Sequence, residues 1–412
     1  MRERDIKWCN IQEVKMGLDV IKIYRDGLRS NMHPTDGCSF EEAIFFNGFS
    51  CFKYEEVPQN RNLSYYYLDE DGIYLKYSPY INKGELRIKF NIPKLIAGTN
   101  AASIFTNNIQ QLFQRLSFKL WPYIDLAKAP HIRFWKVSNV EINIDIILHT
   151  ATINTIYDLL IKTSSTNKYT QIDTYDDGAG GKSIYFIPKR ASFKSSDTVI
   201  KFYYKIPEMK AHNDNFSLND IYNSYGIANL KAGQSILRME LELKRDKINE
   251  IFKKQDQINL ANDDDINLNI GTLEQIFNFN YQYKVMNQLI KEFNLDKAIV
   301  TENKLKDIIN NAPLSLKDKK DFWYVIQYMN KDNHRKKPLS RIIKKCIKFI
   351  NMSGYNYLYA DIEVEPIRID DIIKALPEVQ QREIATYKES NIFKDMLFYK
   401  STPQRIYKGK RY

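Results

Sequence analysis

The chain has 412 residues, with 61 Lys and Arg against 50 Asp and Glu, a net charge of +11. That length supports about two or three domains with a sizeable core, and the positive excess favours polyanionic partners. The N-terminal run Met1-Arg-Glu-Arg-Asp-Ile-Lys-Trp8 lacks the apolar segment of a signal peptide, and no uncharged stretch approaches the roughly 20 residues that span a bilayer. Cys9, Cys38, Cys51 and Cys346 form neither a C-x-x-C pair nor a regular framework. Secreted disulfide-rich and membrane-spanning classes are therefore set aside. A soluble, cytoplasmic protein is the expectation.

Residues 16 to 205 read mainly as strands. Leu18-Asp-Val-Ile-Lys-Ile-Tyr24 alternates, as do 63–68, 73–77 and 86–91, each bounded by polar or Gly-containing turns. Residues 100–121 read as a helix, with Ile109, Leu112, Phe113, Leu116 and Leu120 at helical spacing. A strand is expected over 137–148 and a helix over 152–162. The polar, Gly-rich stretch from Thr163 to Gly181 predicts an exposed loop before a strand at 183–188. Its Asp176-Asp-Gly-Ala-Gly-Gly-Lys182 run lacks the spacing of a phosphate-binding loop. After Lys244 the pattern turns helical. We divide the chain into an α+β part (1–255), an antiparallel sheet with helices packed on one face, and a mainly helical part (256–412). In the latter, Arg335, Lys336 and Lys337, followed by Arg341, Lys344, Lys345 and Lys348, suit contacts to a DNA backbone. A solvated helix face reads the same way.

Four strands carry one polar and one apolar face. In Thr198-Val-Ile-Lys-Phe-Tyr-Tyr-Lys-Ile-Pro-Glu-Met209, extended alternation puts Lys201, Tyr203 and Lys205 on one face and Ile200, Phe202 and Tyr204 on the other. Tyr203 then lies between two ammonium groups that stabilise a phenolate and attract a phosphate. A tyrosine so placed can attack a phosphodiester and retain the DNA end. Asn139, Glu141, Asn143 and Asp145 share a face of the 137–146 strand, and Arg238, Glu240, Glu242 and Lys244 share a face of the 236–244 strand. Glu85, Arg87 and Lys89 do the same in 85–90.

One antiparallel sheet would bring these polar faces together. The carboxylates Glu141, Glu240, Asp145 and Glu242 then suit Mg²⁺ or Mn²⁺, whose charge would polarise a scissile phosphate. Alternating salt bridges across a solvated sheet face would satisfy the same residues. His33, His131, His149, His212 and His334 show no H-x-H spacing, so carboxylates would have to hold any metal.

The order of these motifs is similar to that of the gene II/X family of phage and plasmid replication proteins, typified by the filamentous-phage gene II initiators. Ile200-Lys-Phe-Tyr-Tyr-Lys-Ile-Pro-Glu-Met209 resembles the family's nucleophile motif, Ser138-Asn-Val-Glu141 its Ser-Arg-Ile-Asp strand, and Leu237-Arg-Met-Glu240 its Val-Arg-Phe-Glu strand. The likeness spans roughly residues 60 to 250, with Asn139 where the family has Arg.

The resemblance implies a rolling-circle initiator that nicks one strand of duplex origin DNA and rejoins the displaced strand. Tyr203 would be the nucleophile, Lys205 and Glu208 its support, and Glu141 and Glu240 the metal ligands. Lys201 and Arg238 are the expected DNA contacts. Double- and single-stranded origin DNA and a host helicase and polymerase would be the partners. A conjugative relaxase or single-strand transposase shares this chemistry, and a non-catalytic origin-binding protein shares the charge.

Overall fold

The computed structural model describes residues 14–26, 53–57, 62–68, 73–78, 85–97, 109–120, 131–163, 169–176, 182–189, 191–192, 195–211, 229–259, 271–330, 338–360 and 369–381. Its strands are β1 Val14–Arg25, β2 Lys53–Val57, β3 Asn62–Leu68, β4 Tyr74–Ser78, β5 Glu85–Asn91, β6 Lys136–His149, β7 Tyr169–Asp176, β8 Lys182–Pro188, β9 Thr198–Tyr204 and β10 Gln234–Lys244. They form one ten-stranded sheet in the order β2-β3-β4-β5-β1-β6-β10-β9-β8-β7. Every neighbouring pair is antiparallel.

The helices are α1 Ile92–Ala97, α2 Ile109–Leu120, α3 Thr150–Thr163, α4 Lys205–Ala211, α5 Arg245–Asn259, α6 Leu273–Ile276, α7 Phe279–Glu292, α8 Glu302–Asn311, α9 Leu316–Asn330, α10 Ser340–Met352 and α11 Ile369–Ile373. This is an α+β fold with a helical C-terminal region.

Alternation in the central strands decides where the helices go. Val140, Ile142, Ile144 and Ile146 of β6, and Leu237, Met239, Leu241 and Leu243 of β10, are all buried on one face. Helices α3 and α7 cover that face: Tyr157 of α3 meets Tyr204 edge-on at 5.5 Å. Phe293, at the end of α7, lies 5.0 Å from Phe186 and 5.4 Å from Phe202. Aromatic pairs at such distances add to the energy of simple area burial.

Residue 255 falls inside α5. That helix stacks Phe252 on Tyr281 of α7 at 4.4 Å, and the Val137 and Leu273 amides bond to Gly271 and Trp135 carbonyls at 2.8 and 2.9 Å. The apolar core runs without interruption from the sheet into the helices after 271.

Two sequence expectations are corrected. Residues 169–176, inside the expected Gly-rich loop, form edge strand β7 paired with β8. An edge strand needs few apolar side chains, and here Tyr169 suffices as anchor, stacked on Phe293 at 5.6 Å with its hydroxyl bonded to Glu292 at 2.8 Å. The strand expected through 209 stops at Tyr204, and Lys205 opens α4. Pro207 explains the change, because it cannot donate to a central ladder but is tolerated in a first helical turn.

Gly233 immediately precedes β10 at φ +78°, where a Cβ would come within 2.5 Å of His149 Nε2. Its carbonyl accepts both the amide and the hydroxyl of Thr150 at 2.7 Å, tying β10 to the β6–α3 junction. Among the described residues no helix is long and apolar enough to cross a membrane. Cys346 is free and buried, and burial pushes its thiol up to about 12. Cys9, Cys38 and Cys51 lie outside the described residues.

Candidate active site

The strand register assembles the polar face row by row. Arg238 of β10 stands opposite Asp145 of β6 and Tyr203 of β9, Glu240 opposite Asn143 and Lys201, and Glu242 opposite Glu141 and Val199. On the far side of β6, the β1 register slips between Leu18 and Ile21, so that Asp19 and Val20 together face Glu141. Such a β-bulge re-aims a side chain. Here it delivers Asp19 into the polar layer.

Two cations organise the layer. Arg238, fully buried, donates from Nε and one terminal nitrogen to the two Asp145 oxygens, both at 2.6 Å, and from the other terminal nitrogen to Asp19 Oδ2 at 3.0 Å. The fork matches a carboxylate plane, which is why Arg suits this position. Asn91 donates to the other Asp19 oxygen. Lys201 Nζ bonds Glu240 Oε1, lies 3.2 Å from Glu141 Oε1 and stands 3.8 Å from Glu242 Oε2. Asn139 donates to Glu242 Oε1 at 2.7 Å.

Tyr203 completes the row. Its hydroxyl donates a 2.7 Å hydrogen bond to Glu240 Oε2, so Lys201 and Tyr203 hold opposite oxygens of one carboxylate. Lys205 is buried, pairs with Glu208 at 3.3 Å and keeps its ammonium 6.0 Å from the centre of the Tyr203 ring. Tyr204 points to the opposite, apolar face and bonds Asn154 Oδ1 at 2.9 Å.

Ion pairs in the layer join six carboxylates, Asp19, Glu141, Asp145, Glu208, Glu240 and Glu242, to Lys201, Lys205 and Arg238. Half-buried Lys22 of β1 adds positive charge near Glu242 and Glu141. Burial, reinforced by Glu240, raises Glu141 to about 8. Burial likewise raises Asp19, with Arg238 acting against it. Burial also works to raise Glu240, but Lys201, Tyr203 and Arg238 outweigh it and hold that carboxyl below its ordinary value. Lys201 is held charged by Glu240 and Glu141 in spite of burial.

Several expected roles change. The lysines flanking Tyr203 do not lower its phenol, because both ammonium groups are engaged by carboxylates. Burial and the neighbouring Glu240 push Tyr203 well above the usual tyrosine range. Asp145 is corrected as a metal ligand: it lies outside the group of carboxylates whose oxygens come together, which is Asp19, Glu141 and Glu240, and pairs with Arg238 instead. Arg238 is corrected as a DNA contact because it is wholly buried, and Lys201 because its ammonium is bound among three carboxylates. Glu242 stays on the face but outside the tightest acidic group. Arg335, Lys336 and Lys337 lie outside the described residues.

The residue that sequence reasoning missed is Asp19. Asp19, Glu141 and Glu240 each offer an oxygen within 4.8 Å of the others. The signal was present in β1, where apolar residues slip from Leu18 to Ile21 and polar ones from Asp19 to Lys22, a phase change that marks a bulge. Three hard oxygen donors so close together, two of them already sharing the Lys201 ammonium, fit a small divalent cation such as Mg²⁺ or Mn²⁺.

The chain matches no protein-family model, no curated protein and no solved structure.

Proposed function

We propose that this polar layer nicks and rejoins one strand of origin DNA, as the resemblance to the gene II/X family implies, with Tyr203 as nucleophile. The observation that carries the reading is the Tyr203–Glu240 hydrogen bond at the edge of an acidic group that also contains Asp19 and Glu141. Tyr203 Oη attacks the scissile phosphorus, its proton passes to Glu240 Oε2, and the bond from phosphorus to the 3′ oxygen breaks. The strand's 5′-phosphate stays on the tyrosine, and the 3′ oxygen leaves as a hydroxyl after taking a proton from solvent. Attack by another 3′-hydroxyl reverses these steps and reseals a strand without ATP.

Glu240, Glu141 and Asp19 would hold a divalent cation, which supplies charge to the non-bridging phosphate oxygens as the transition state forms. Lys205 and Glu208 position the end of β9 where Tyr203 stands. Tyr203 is 5 % exposed, so a strand reaches it only where the polar layer opens. The helical C-terminal region would supply duplex contacts, with host helicase and polymerase acting on the nicked product.

Incubation with Mn²⁺ and supercoiled DNA of the replicon encoding the chain, followed by a denaturing gel that retains protein, tests this. A protein-linked strand is expected from the native chain and from Tyr204→Phe, and none from Tyr203→Phe.

One observation favours a second reading. Arg238 and Lys201 tie five carboxylates into a closed network, as in a polar layer built only to hold strands in register. A non-catalytic origin-binding protein would carry such a layer, and would show DNA binding with no adduct.

A further inference from the structure

The Lys201 ammonium has an unusual position for a group expected to touch DNA. It sits between Glu240, Glu141 and Glu242, and two of these, with Asp19, are the carboxylates best placed to share a cation. We infer that Lys201 is the resident cation of this acidic group, and that a divalent metal enters only by displacing it. This inference rests on the metal-assisted reading above and concerns how that site is filled.

The argument is electrostatic. Carboxylates from three strands, β1, β6 and β10, converge with their oxygens within 4.8 Å, and without a cation among them their repulsion would be severe in a site of low effective dielectric. A lysine is suited to this duty because its ammonium is compact and its stem flexible. Glu240 Oε1 and Glu141 Oε1 cannot serve the ammonium and a metal equally well, since both would occupy the same small space.

The two cations are therefore coupled ligands of one site, one of them tethered. Lys201 is 17 % exposed, at the solvent side of the group, so release carries its charge outward rather than deeper into the core. An outward Lys201 would bring a positive charge to the face that Tyr203 shares. Binding of metal and delivery of that charge would then be a single event.

Calorimetric titration of Mn²⁺ into native chain, Lys201→Met and Lys201→Arg, with thermal unfolding of each in EDTA and in Mn²⁺, tests the inference. Lys201→Met is expected to bind Mn²⁺ about 5- to 150-fold more tightly than the native chain, the usual range for coupled ligands. It should also unfold at lower temperature in EDTA and recover in Mn²⁺. Lys201→Arg, which keeps the charge, should bind as weakly as the native chain.

Equal affinity in the native chain and Lys201→Met would overturn the inference, as would a Lys201→Met loss of stability that Mn²⁺ does not repair. The two readings separate cleanly. Tight binding by Lys201→Met alongside no binding by the native chain supports the counter-ion role and removes metal assistance from the proposed reaction. A Tyr203 adduct formed with Mn²⁺, alongside equal affinities, does the reverse.

Discussion

Tyr203 donates its hydroxyl to one oxygen of Glu240 at 2.7 Å while Lys201 holds the other. This pairing raises the phenol's pKa rather than lowering it, through burial and the adjacent carboxylate. The tyrosine is thus a neutral hydrogen-bond donor to Glu240. In the proposed reaction its deprotonation would accompany attack on the phosphate, with no preformed phenolate.

Removal of Arg238 should be severe. Arg238→Met leaves Asp19 and Asp145 buried without their cation, a change that costs about 3–5 kcal/mol in comparable buried networks. Urea denaturation should show a matching fall in midpoint, and a loss below about 1 kcal/mol would mean the layer is wetter than its burial indicates.

Stability should depend on pH through Glu141. Its folded pKa, about 8, lies above its ordinary 4.5, so the folded chain binds the proton more tightly than the unfolded one. The stabilisation is complete below 4.5, declines as pH rises, and is gone above about 8. Thermal unfolding in EDTA across pH 5 to 9 should show that decline, and Glu141→Gln should flatten it.

Gly233 should not tolerate a side chain. Its φ of +78° and the 2.5 Å approach to His149 give Gly233→Ala both backbone strain and a clash, together on the order of 1–3 kcal/mol. Denaturant titration reads the loss, and an unchanged midpoint would show that the β6–α3 junction yields easily.

Helix α10 is the expected place for the duplex contacts of the proposed function. Arg341, Lys344 and Lys348 are exposed, lie on one stripe of the helix and meet no acidic residue within it, whereas Lys345 pairs with Asp318 at 2.7 Å. Arg341→Glu/Lys344→Glu/Lys348→Glu should weaken non-specific duplex binding and make its log–log salt slope shallower by about 2–3. Fluorescence anisotropy against salt measures it, and an unchanged slope would place the duplex elsewhere.

Much of the sheet was legible because period-two alternation is a strong signal when one face is apolar. The faces of β6, β9 and β10 follow from residues such as Ile144, Phe202 and Leu241, and their registers bring Tyr203, Arg238 and Asp145 into one row. Pairing within the polar face was not legible. Alternation says that Arg238 and Asp145 share a side, but not that they neutralise each other, nor that Lys201 lies among carboxylates. Asp19 escaped notice because a bulge breaks the period that would have announced it. Strand β7 escaped because most of its residues are polar.

The most direct measurement is mass spectrometry of the covalent adduct after nuclease and trypsin digestion. Cleavage after Lys201 and Lys205 releases Phe202-Tyr203-Tyr204-Lys205, which carries both tyrosines. The expected result is a 5′-nucleotide on Tyr203 with Tyr204 unmodified. A nucleotide on Tyr204, or an intact origin strand with no adduct on either residue, would contradict the nicking mechanism.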